Sequence, residues 1–417
     1  MSDVTALPAL TTSDGRSLKS ALMQAQSRSR RRAFFLVAPL LLFIVITFIL
    51  PIGQMLHRSV YHDGLAANAP NLKAWFAANP EGTTPDEAAY AALAQDFVTM
   101  KADKTAGIAG TRVNYTLPET RSLITATARV ADTLAPPYAA AFVAVNAKWA
   151  DPAVWQAMRS ASDAYTADFY LISADLERAD DGSIQKVPEN TRIYLYLFAK
   201  TFILSALITA ICMVLAFPVA HLLATLPMAK ANLLMILVLL PFWTSLLVRT
   251  TSWIVLLQGQ GVVNETLVAL GLIGDDGRLK MMYNQAGTII VMTHVLLPFM
   301  ILPLYSVMKT IPPSYARAAR SLGATSWTTF RRIYLPQTLP GIGAGALLVF
   351  ILAVGYYITP ALVGGADGQL ISNLIDFHMD KSNWSLAAAL SAMLLAGVLV
   401  LYWLYDRLIG IDNLKLG

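Results

Sequence analysis

The chain has 417 residues, of which 56% are hydrophobic and only 14% are charged, against roughly 25% charged in soluble domains. This composition excludes an ordinary soluble globule and predicts helices that cross a lipid bilayer, where backbone groups must be satisfied internally. The net charge of +5 does not indicate a nucleic-acid partner, because residues 61–190 carry 16 acidic and 10 basic side chains. The surplus positive charge therefore lies mostly beside apolar stretches, as membrane topology requires.

The chain begins with a polar stretch, residues 1–32, that ends in the arginine cluster Arg28, Arg30, Arg31 and Arg32. An apolar run over residues 33–56 follows, and it is too long for the core of a cleaved signal peptide. We therefore predict a retained first transmembrane helix over 33–56. The arginine cluster is expected to hold the tail 1–32 in the cytoplasm.

Residues 57–195 form an acid-rich and alanine-rich segment that is too polar to enter a membrane. Stretches 86–104 and 151–179 have the periodicity of amphipathic helices. The segment is predicted to be a small, mainly helical domain on the external, periplasmic side.

Residues 196–410 are predicted to form the transmembrane core, followed by a C-terminal tail over 411–417. Five further spans are expected, at residues 201–224, 233–257, 286–308, 341–363 and 386–406. The loops after the second, fourth and sixth spans are basic, so both termini are predicted to be cytoplasmic. The sequence thus predicts an all-α protein with about six transmembrane helices and an external helical insert.

The basic loop 310–340 has the signals of two short helices joined at a glycine. Ser314 follows two prolines and is expected to cap the first helix, and Gly323 is expected to end it in a left-handed conformation. Ser326 is expected to cap the second helix, which should stop before Pro336.

The two helices of this loop have faces suited to a protein partner. Ala318 and Ala319 leave the first helix slim, and Phe330 and Ile333 give the second an apolar face. Such an element can enter a groove on another protein, with apolar side chains as anchors.

At this point the sequence resembles the EAA motif of binding-protein-dependent ABC importer permeases. The matching positions are Ala318, Ala319, Gly323, Ile333, Leu335 and Pro336, while Arg317 replaces the acidic residue of the motif. The resemblance implies that this loop docks on an ATPase subunit. The residues implied in coupling are Arg317, Ala318, Ala319, Gly323, Ala324, Phe330, Ile333, Leu335 and Pro336.

Three further segments, 240–250, 294–300 and 355–365, resemble the polyamine-type (spermidine/putrescine and opine) permeases. The likeness covers roughly 30–60 and 195–410 and implies the fold of a type I ABC importer permease in a bacterial inner membrane. It also implies an ABC ATPase dimer, a second permease subunit that is homologous but different, and a periplasmic substrate-binding protein.

The chain has no phosphate-binding motif of the form G-x-x-x-x-G-K-[ST] and no metal-ligand pattern among its five histidines. No cofactor or metal is therefore expected on this chain, and ATP with Mg²⁺ is assigned to the partner ATPase. The chain is predicted to be a transport subunit and not an enzyme.

Five residues are candidates for the substrate pathway, namely Trp243, Arg249, Tyr356, Tyr357 and Thr359. A charge inside a span is costly and usually lies on a cavity or is paired. Two interpretations of Arg249 stay open. It is either a pathway or gating residue, or a structural arginine that bonds to backbone carbonyls or a nearby partner, or snorkels outward. Gly355 and Pro360 are expected to let the fifth span bend or break.

The spans are interpreted as free of carboxylates, so acidic partners for a cationic solute would have to come from Asp376, Asp380 or other chains. The main hypothesis is an ATP-driven importer of a small polyamine-like or amino-acid/opine-like solute. The alternatives are an ion-gradient-driven secondary transporter, which should show paired intramembrane acids or inverted repeats, and a membrane receptor with an external ligand domain.

Overall fold

A computed structural model of the chain describes residues 18–179 and 183–409. The predicted all-α architecture is confirmed, since the described strands are one short antiparallel pair. The predicted tail 411–417 and the first 17 residues lie outside the described residues. The chain divides into two compact units, Met1–His57 and Arg58–Gly417, which are taken separately.

The first unit is one long helical stretch that contains a π turn. Helix α1 (Leu18–Ile44) passes through the π turn Val45–Ile49 into α2 (Leu50–Arg58). The turn directly precedes Leu50-Pro51, and it provides the wider helical ring that a proline ring needs inside a helix. The stretch Gln26–Arg58 is apolar and long enough to cross a bilayer, so it contains the predicted first span.

The second unit begins with the insert, which we define as residues 58–193. Its helices are α3 (Pro70–Ala78), α4 (Glu87–Ala102), α5 (Ala106–Asn114), α6 (Thr120–Arg129), α7 (Tyr138–Val145), α8 (Pro152–Ser162) and α9 (Asp168–Ser173). Strands β1 (Leu176–Arg178) and β2 (Ile184–Lys186) pair antiparallel, with Glu177 opposite Gln185. The predicted helix 151–179 is therefore wrong in extent, because it divides into α8, α9 and β1.

The core of the insert is a cluster of large aromatic side chains. Tyr90, Phe97, Phe142, Trp149 and Trp155 are buried, and their ring centroids lie 4.6–6.1 Å apart, mostly edge to face. The Trp149 indole donates to Thr127 Oγ1 at 2.9 Å, and the Trp149 carbonyl accepts from Tyr90 and Trp155. These bonds satisfy the polar atoms that burial of such rings would otherwise leave unpaired.

A buried ion pair lies at the side of this aromatic core. Arg112 is fully buried and lies 3.4 Å from the Asp168 carboxylate, which also accepts from Ser160 at 2.6 Å and from Arg178 at 3.1 Å. Burial works to raise the pKa of Asp168, but these hydrogen bonds and the Arg112 charge outweigh it, so the pKa is lowered. The carboxylate therefore stays charged and compensates the buried guanidinium.

The membrane core, which we define as residues 194–409, follows the insert. Its helices are α10 (Tyr194–Thr225), α11 (Met228–Leu239), α12 (Leu246–Leu257), α13 (Val262–Ala269), α14 (Gln285–Thr310), α15 (Pro313–Ser321), α16 (Ser326–Thr329), α17 (Leu335–Gly355), α18 (Ile358–Val363), α19 (Ile371–Asp380) and α20 (Trp384–Ile409). A π turn, Phe330–Tyr334, joins α16 to α17. Helices α10, α14 and α17 pack around small side chains such as Ala216 and Ala220.

Two predicted spans differ from the structure. The third, 233–257, is not one helix, because α11 and α12 meet at a bend of 100°. The fifth, 341–363, begins earlier, since the apolar helix runs over Ser326–Gly355 and then breaks before α18. Among the described residues five helices are long and apolar enough to cross a membrane, and the bent pair would make six.

The insert is fixed to the membrane core through α9 and Asp175. Phe169 packs against Phe198, Ile371 and Leu390. The Asp175 carboxylate accepts from the backbone N–H groups of Ile193, Tyr194 and Leu195 at 2.8–3.1 Å, at the start of α10. A carboxylate at that helix end satisfies free N–H groups and complements the helix dipole.

Candidate coupling surface and transport path

The loop predicted to couple to a partner forms a helix, a left-handed glycine and a second helix. Helix α15 ends before Gly323, whose φ is +87°. The expected cap is wrong in position, because Pro312 precedes α15 and Ser314 lies inside it. The second cap is also displaced by one residue, since Thr325 Oγ1 accepts from Thr328 N at 3.2 Å.

The second helix does not stop before Pro336, which corrects the sequence prediction. Helix α16 continues through the π turn Phe330–Tyr334 into α17, and Leu335 N donates to Phe330 O. The π turn precedes Leu335-Pro336, as the first π turn precedes Leu50-Pro51, so the helix passes the proline. The loop is thus built directly onto a membrane helix, and a movement of one would be transmitted to the other.

The two side chains predicted to anchor a partner protein pack against this chain instead. Phe330 is half-buried and contacts Phe217 edge to face, with ring centroids 5.8 Å apart, and Ile333 is half-buried beside it. The most exposed large apolar side chains of this loop are Leu322, at 89%, and Trp327, at 67%. The sequence analysis missed these two residues, because helical periodicity does not mark them. Their positions beside Gly323 and the cap of the second helix were the signal that could have found them.

The remaining coupling residues differ in exposure. Arg317, Ala318, Gly323 and Pro336 are exposed, whereas Ala319, Ala324 and Leu335 are half-buried. A cleft of about 650 Å³ separates α15 from the ends of α10, α14 and α17. Its lining includes Lys309, Arg317 and Arg320 and no acidic side chain.

Arg249 lies at the bend between α11 and α12. Its guanidinium donates to the carbonyls of Pro241 and Thr244, the latter at 3.1 Å. Both carbonyls lie at the end of the 3₁₀ turn Leu240–Trp243, and that of Pro241 also accepts from the Thr244 N–H and hydroxyl. The structural interpretation of Arg249 thus has a specific geometry, a cation that satisfies the end of a broken helix. Its role in a pathway stays a prediction.

The fifth span breaks at Tyr356 and Tyr357, as expected from the neighbouring Gly355 and Pro360. Side chains of α19 donate to the carbonyls at the break, Ser372 Oγ to Tyr356 O at 2.6 Å and Asn373 Nδ2 to Tyr357 O at 2.7 Å. The Tyr357 carbonyl also accepts from Ala361 N in α18. The break is therefore held open by fixed side chains and is not a frayed helix end.

The five pathway candidates are only partly brought together. Tyr356 packs in one apolar cluster with Trp253, whose indole donates to His294 Nδ1 at 3.1 Å. Thr359 is fully buried, and Tyr357 is exposed. Trp243 is 71% exposed at the bend.

One expectation about charge is wrong, because Asp406 lies inside the span Trp384–Arg407. Within the part of the chain that the structure describes, no group of three or more His, Cys, Asp or Glu side chains is placed to hold a metal ion.

The bent and broken spans, together with two short helices built onto a membrane helix, define a polytopic α-helical membrane protein. Residues 201–409 match the family model described as the binding-protein-dependent transport system inner membrane component, and the chain belongs to that family. It is the permease subunit of an ABC importer. The family match leaves out the insert and favours neither the ion-gradient transporter nor the receptor alternative.

Relatives of known role agree with this. The spermidine/putrescine transport system permease protein PotB of Escherichia coli K12 is 37% identical over 258 residues, 59% of this chain and 93% of the relative. The inner membrane ABC transporter permease protein YdcU of the same strain is 31% identical over 225 residues, 51% of this chain and 71% of the relative.

Among solved structures, the bacterial alginate ABC transporter in complex with alginate pentasaccharide-bound periplasmic protein is similar, with a TM-score of 0.43 and 18% identity. The match covers 52% of this chain and 79% of that one.

Proposed function

We propose that this permease passes a small cationic organic solute, polyamine-like or amino-acid/opine-like, from a periplasmic binding protein to the cytoplasm. The 37% identity to a spermidine/putrescine permease supports this class of solute. The acidic balance of residues 61–190 would raise the local concentration of a cation on the external side. Asp406 adds one carboxylate at the end of the span Trp384–Arg407.

The proposed topology places both termini, α15 and α16 in the cytoplasm of a bacterium and the insert in the periplasm. The basic loop 309–340 supports that orientation, because it contains five Lys and Arg side chains and no acid. An ABC ATPase dimer hydrolyses ATP with Mg²⁺, and this chain contributes no catalytic group. A second, homologous permease completes the pathway that Trp243, Arg249, Tyr356, Tyr357 and Thr359 line in part.

Coupling rests on one observation, the continuity of α16, the π turn and α17. A partner that moves α15 and Gly323 moves the fifth span with them. That span ends at the Tyr356–Tyr357 break, so the displacement would reach the outer part of the pathway as a rigid-body shift.

The test is co-purification of the permease with its cognate ATPase, followed by solute uptake in vesicles with ATP inside. We expect Gly323→Val to abolish uptake and stimulated ATP hydrolysis, because φ is +87° and a β-branched residue strains that backbone. The matched control is Gly82→Val in the insert, at φ +83° and, like Gly323, in open space.

Uptake that survives Gly323→Val, or a wild-type permease that transports without nucleotide, would contradict the proposal. The solute is identified by mass spectrometry of the ligand that co-purifies with the cognate binding protein. If that ligand were a neutral sugar, the proposal of a cationic solute would be wrong, whereas the coupling scheme would stand.

A further inference from the structure

The insert contains a cavity whose residues have no part in the proposed coupling or in the proposed pathway. This insert cavity has a volume of about 490 Å³ and lies where the end of α3, α8, the start of α9 and β1 meet. Pockets for small ligands have volumes of roughly 300–1,000 Å³. The family match begins at residue 201, so it does not account for the cavity. Six charged side chains line it, namely Lys73, Glu81, Arg159, Asp163, Asp168 and Arg178.

Arg159 is a fixed cation in the wall of the insert cavity. Its Nη1 donates to the carbonyls of Phe76 and Asn79 at 3.0 and 2.9 Å, and its guanidinium carbon lies 4.6 Å from the centroid of the Phe76 ring. These partners are uncharged, and among the described residues no carboxylate pairs with Arg159. Its buried Nη2 also has no hydrogen-bond partner there. Since an unpaired buried N–H is costly, this arginine favours an additional acceptor.

Arg178 adds a second guanidinium to the same wall. Its Nε donates to the Asp168 carboxylate at 3.1 Å, but that carboxylate also lies 3.4 Å from the buried Arg112. Together with Arg159, three guanidinium groups thus meet one carboxylate, which leaves two positive charges without a partner. The Arg178 side chain is 37% exposed, so its other N–H groups are accessible from the cavity. The inner wall therefore favours an anionic group.

The mouth of the insert cavity has the opposite balance of charge. Lys73, Glu81 and Asp163 are exposed there, which gives two acids and one base. None of the three has an ion-pair partner among the described residues. A molecule with a carboxylate at one end and an ammonium group at the other matches both parts of the cavity. A diamine would place an ammonium group against the guanidinium groups, and a dicarboxylate would place an anion against the acids of the mouth.

We propose that the insert binds a small molecule that carries both a carboxylate and an ammonium group, as amino acids and opines do. The carboxylate would accept from Arg178 and Arg159, and the ammonium group would lie toward Glu81. The inference goes beyond the proposed function, because it assigns a second site outside the membrane core. Since α8 carries Arg159 and β1 carries Arg178, a bound carboxylate bridges these two elements next to α9, which fixes the insert to the core.

The test is calorimetric titration of the full-length permease, in neutral detergent and without partner subunits, with L-ornithine and with putrescine. Putrescine is ornithine without its carboxylate, so the pair isolates the group that the inner wall is proposed to bind. We expect ornithine to bind at least about tenfold more tightly than putrescine, as expected when charge-assisted hydrogen bonds to a carboxylate are lost.

Variants of the insert assign the binding to this cavity. Arg178→Gln should weaken ornithine binding about tenfold or more and leave putrescine unaffected. The matched control is Arg129→Gln, an exposed arginine of α6 outside the cavity that loses the same charge, and it should change the affinity less than about twofold. Ornithine should also raise the thermal midpoint of the insert in the wild type, as a ligand of the folded state does, and not in Arg178→Gln. Near-UV circular dichroism verifies that each variant is folded.

Three results would overturn the insert site. They are equal affinity for ornithine and putrescine, no binding of ornithine, and ornithine binding that Arg178→Gln leaves unchanged or that Arg129→Gln weakens equally. All three leave the importer function standing, because the titration uses the permease alone. A wild-type permease that fails to take up any cationic solute with its ATPase and binding protein would instead remove the proposed function and leave the insert site.

Discussion

The insert and the membrane core are both helical and belong to one compact unit, yet they bury different things. The insert buries large rings, with Trp149, Phe97 and Phe142 in its centre. Where α10, α14 and α17 meet, the membrane core buries aliphatic side chains such as Leu296 and Met300 beside small ones such as Ala216, and it leaves others such as Ile203 and Val214 exposed.

The difference follows from the solvent that each region meets. Water drives large apolar side chains into the insert, where each ring removes much surface from solvent. Lipid is as apolar as leucine, so membrane helices gain little by burying large side chains and gain more from close backbone contact over small ones. The helices of one chain thus pack around aromatic rings in the insert and around aliphatic and small side chains in the membrane core.

The comparison is tested first by removal of the largest buried ring. Trp149→Ala should destabilise the insert by about 3–5 kcal/mol, because it leaves a cavity and frees the Thr127 hydroxyl. Thermal unfolding in detergent, followed by near-UV circular dichroism, should show an early transition of the insert alone.

Trp243→Ala is the control, since that ring is exposed in the membrane core. If Trp149→Ala made the membrane helices unfold in the same transition, the two regions would form one cooperative unit and the contrast between them would fail.

The stability of the membrane core should fall when a side chain adds volume where two helices touch. A Cβ on Gly341 would lie 3.0 Å from Val307 Cβ, 3.1 Å from Pro303 O and 3.2 Å from Leu304 Cα, so the helix backbones must separate. We expect Gly341→Ala to cost about 1–3 kcal/mol and to lower the temperature at which the detergent-solubilised protein aggregates.

Gly355→Ala provides the matched substitution, because a Cβ there meets nothing within 4 Å. Equal thermal stability of the two variants would show that α14 and α17 are not in close contact over Gly341.

Asp175 tests the junction of the two regions. Asp175→Ala removes the acceptor for three N–H groups at the start of α10 and should cost about 1–2 kcal/mol. Limited proteolysis should then cut between the insert and α10 sooner than in the wild type. Asp163→Ala, an exposed acid in the same insert, should leave the cleavage rate unchanged, and faster cleavage there would point to net charge as the cause.

The smallest expected effect is a dependence of the insert's stability on pH. Burial, aided by the Arg112 charge, lowers the pKa of His62 below its ordinary value near 6.5. The unfolded chain therefore binds the proton first, and the stability of the insert falls as pH drops through about 6.5 and on to the folded pKa. The thermal midpoint of the insert should decrease over that range in the wild type and stay flatter in His62→Gln, and parallel profiles would assign the dependence to other groups.

The sequence by itself determined the class of solvent, the existence of the spans and the position of the two short helices joined at Gly323. Apolar run length decides whether a segment enters lipid. The order of a proline, a glycine and a cap decides where short helices begin and end, to within a residue for Gly323 and Thr325. The resemblance in loop 310–340 indicated the family before any geometry was known.

Only the tertiary structure decided which side of each element faces outward. Phe330 turned inward because α10 offers Phe217 as a partner, and Leu322 stays outside because the described residues leave 89% of it exposed. The break at Tyr356 also depends on partners in another helix, since its carbonyls accept from side chains 16 residues along the chain, whereas the bend at Arg249 is held by an arginine only 5 to 8 residues away. Local sequence fixes the breakpoints, and long-range hydrogen bonds and packing fix what those breakpoints expose.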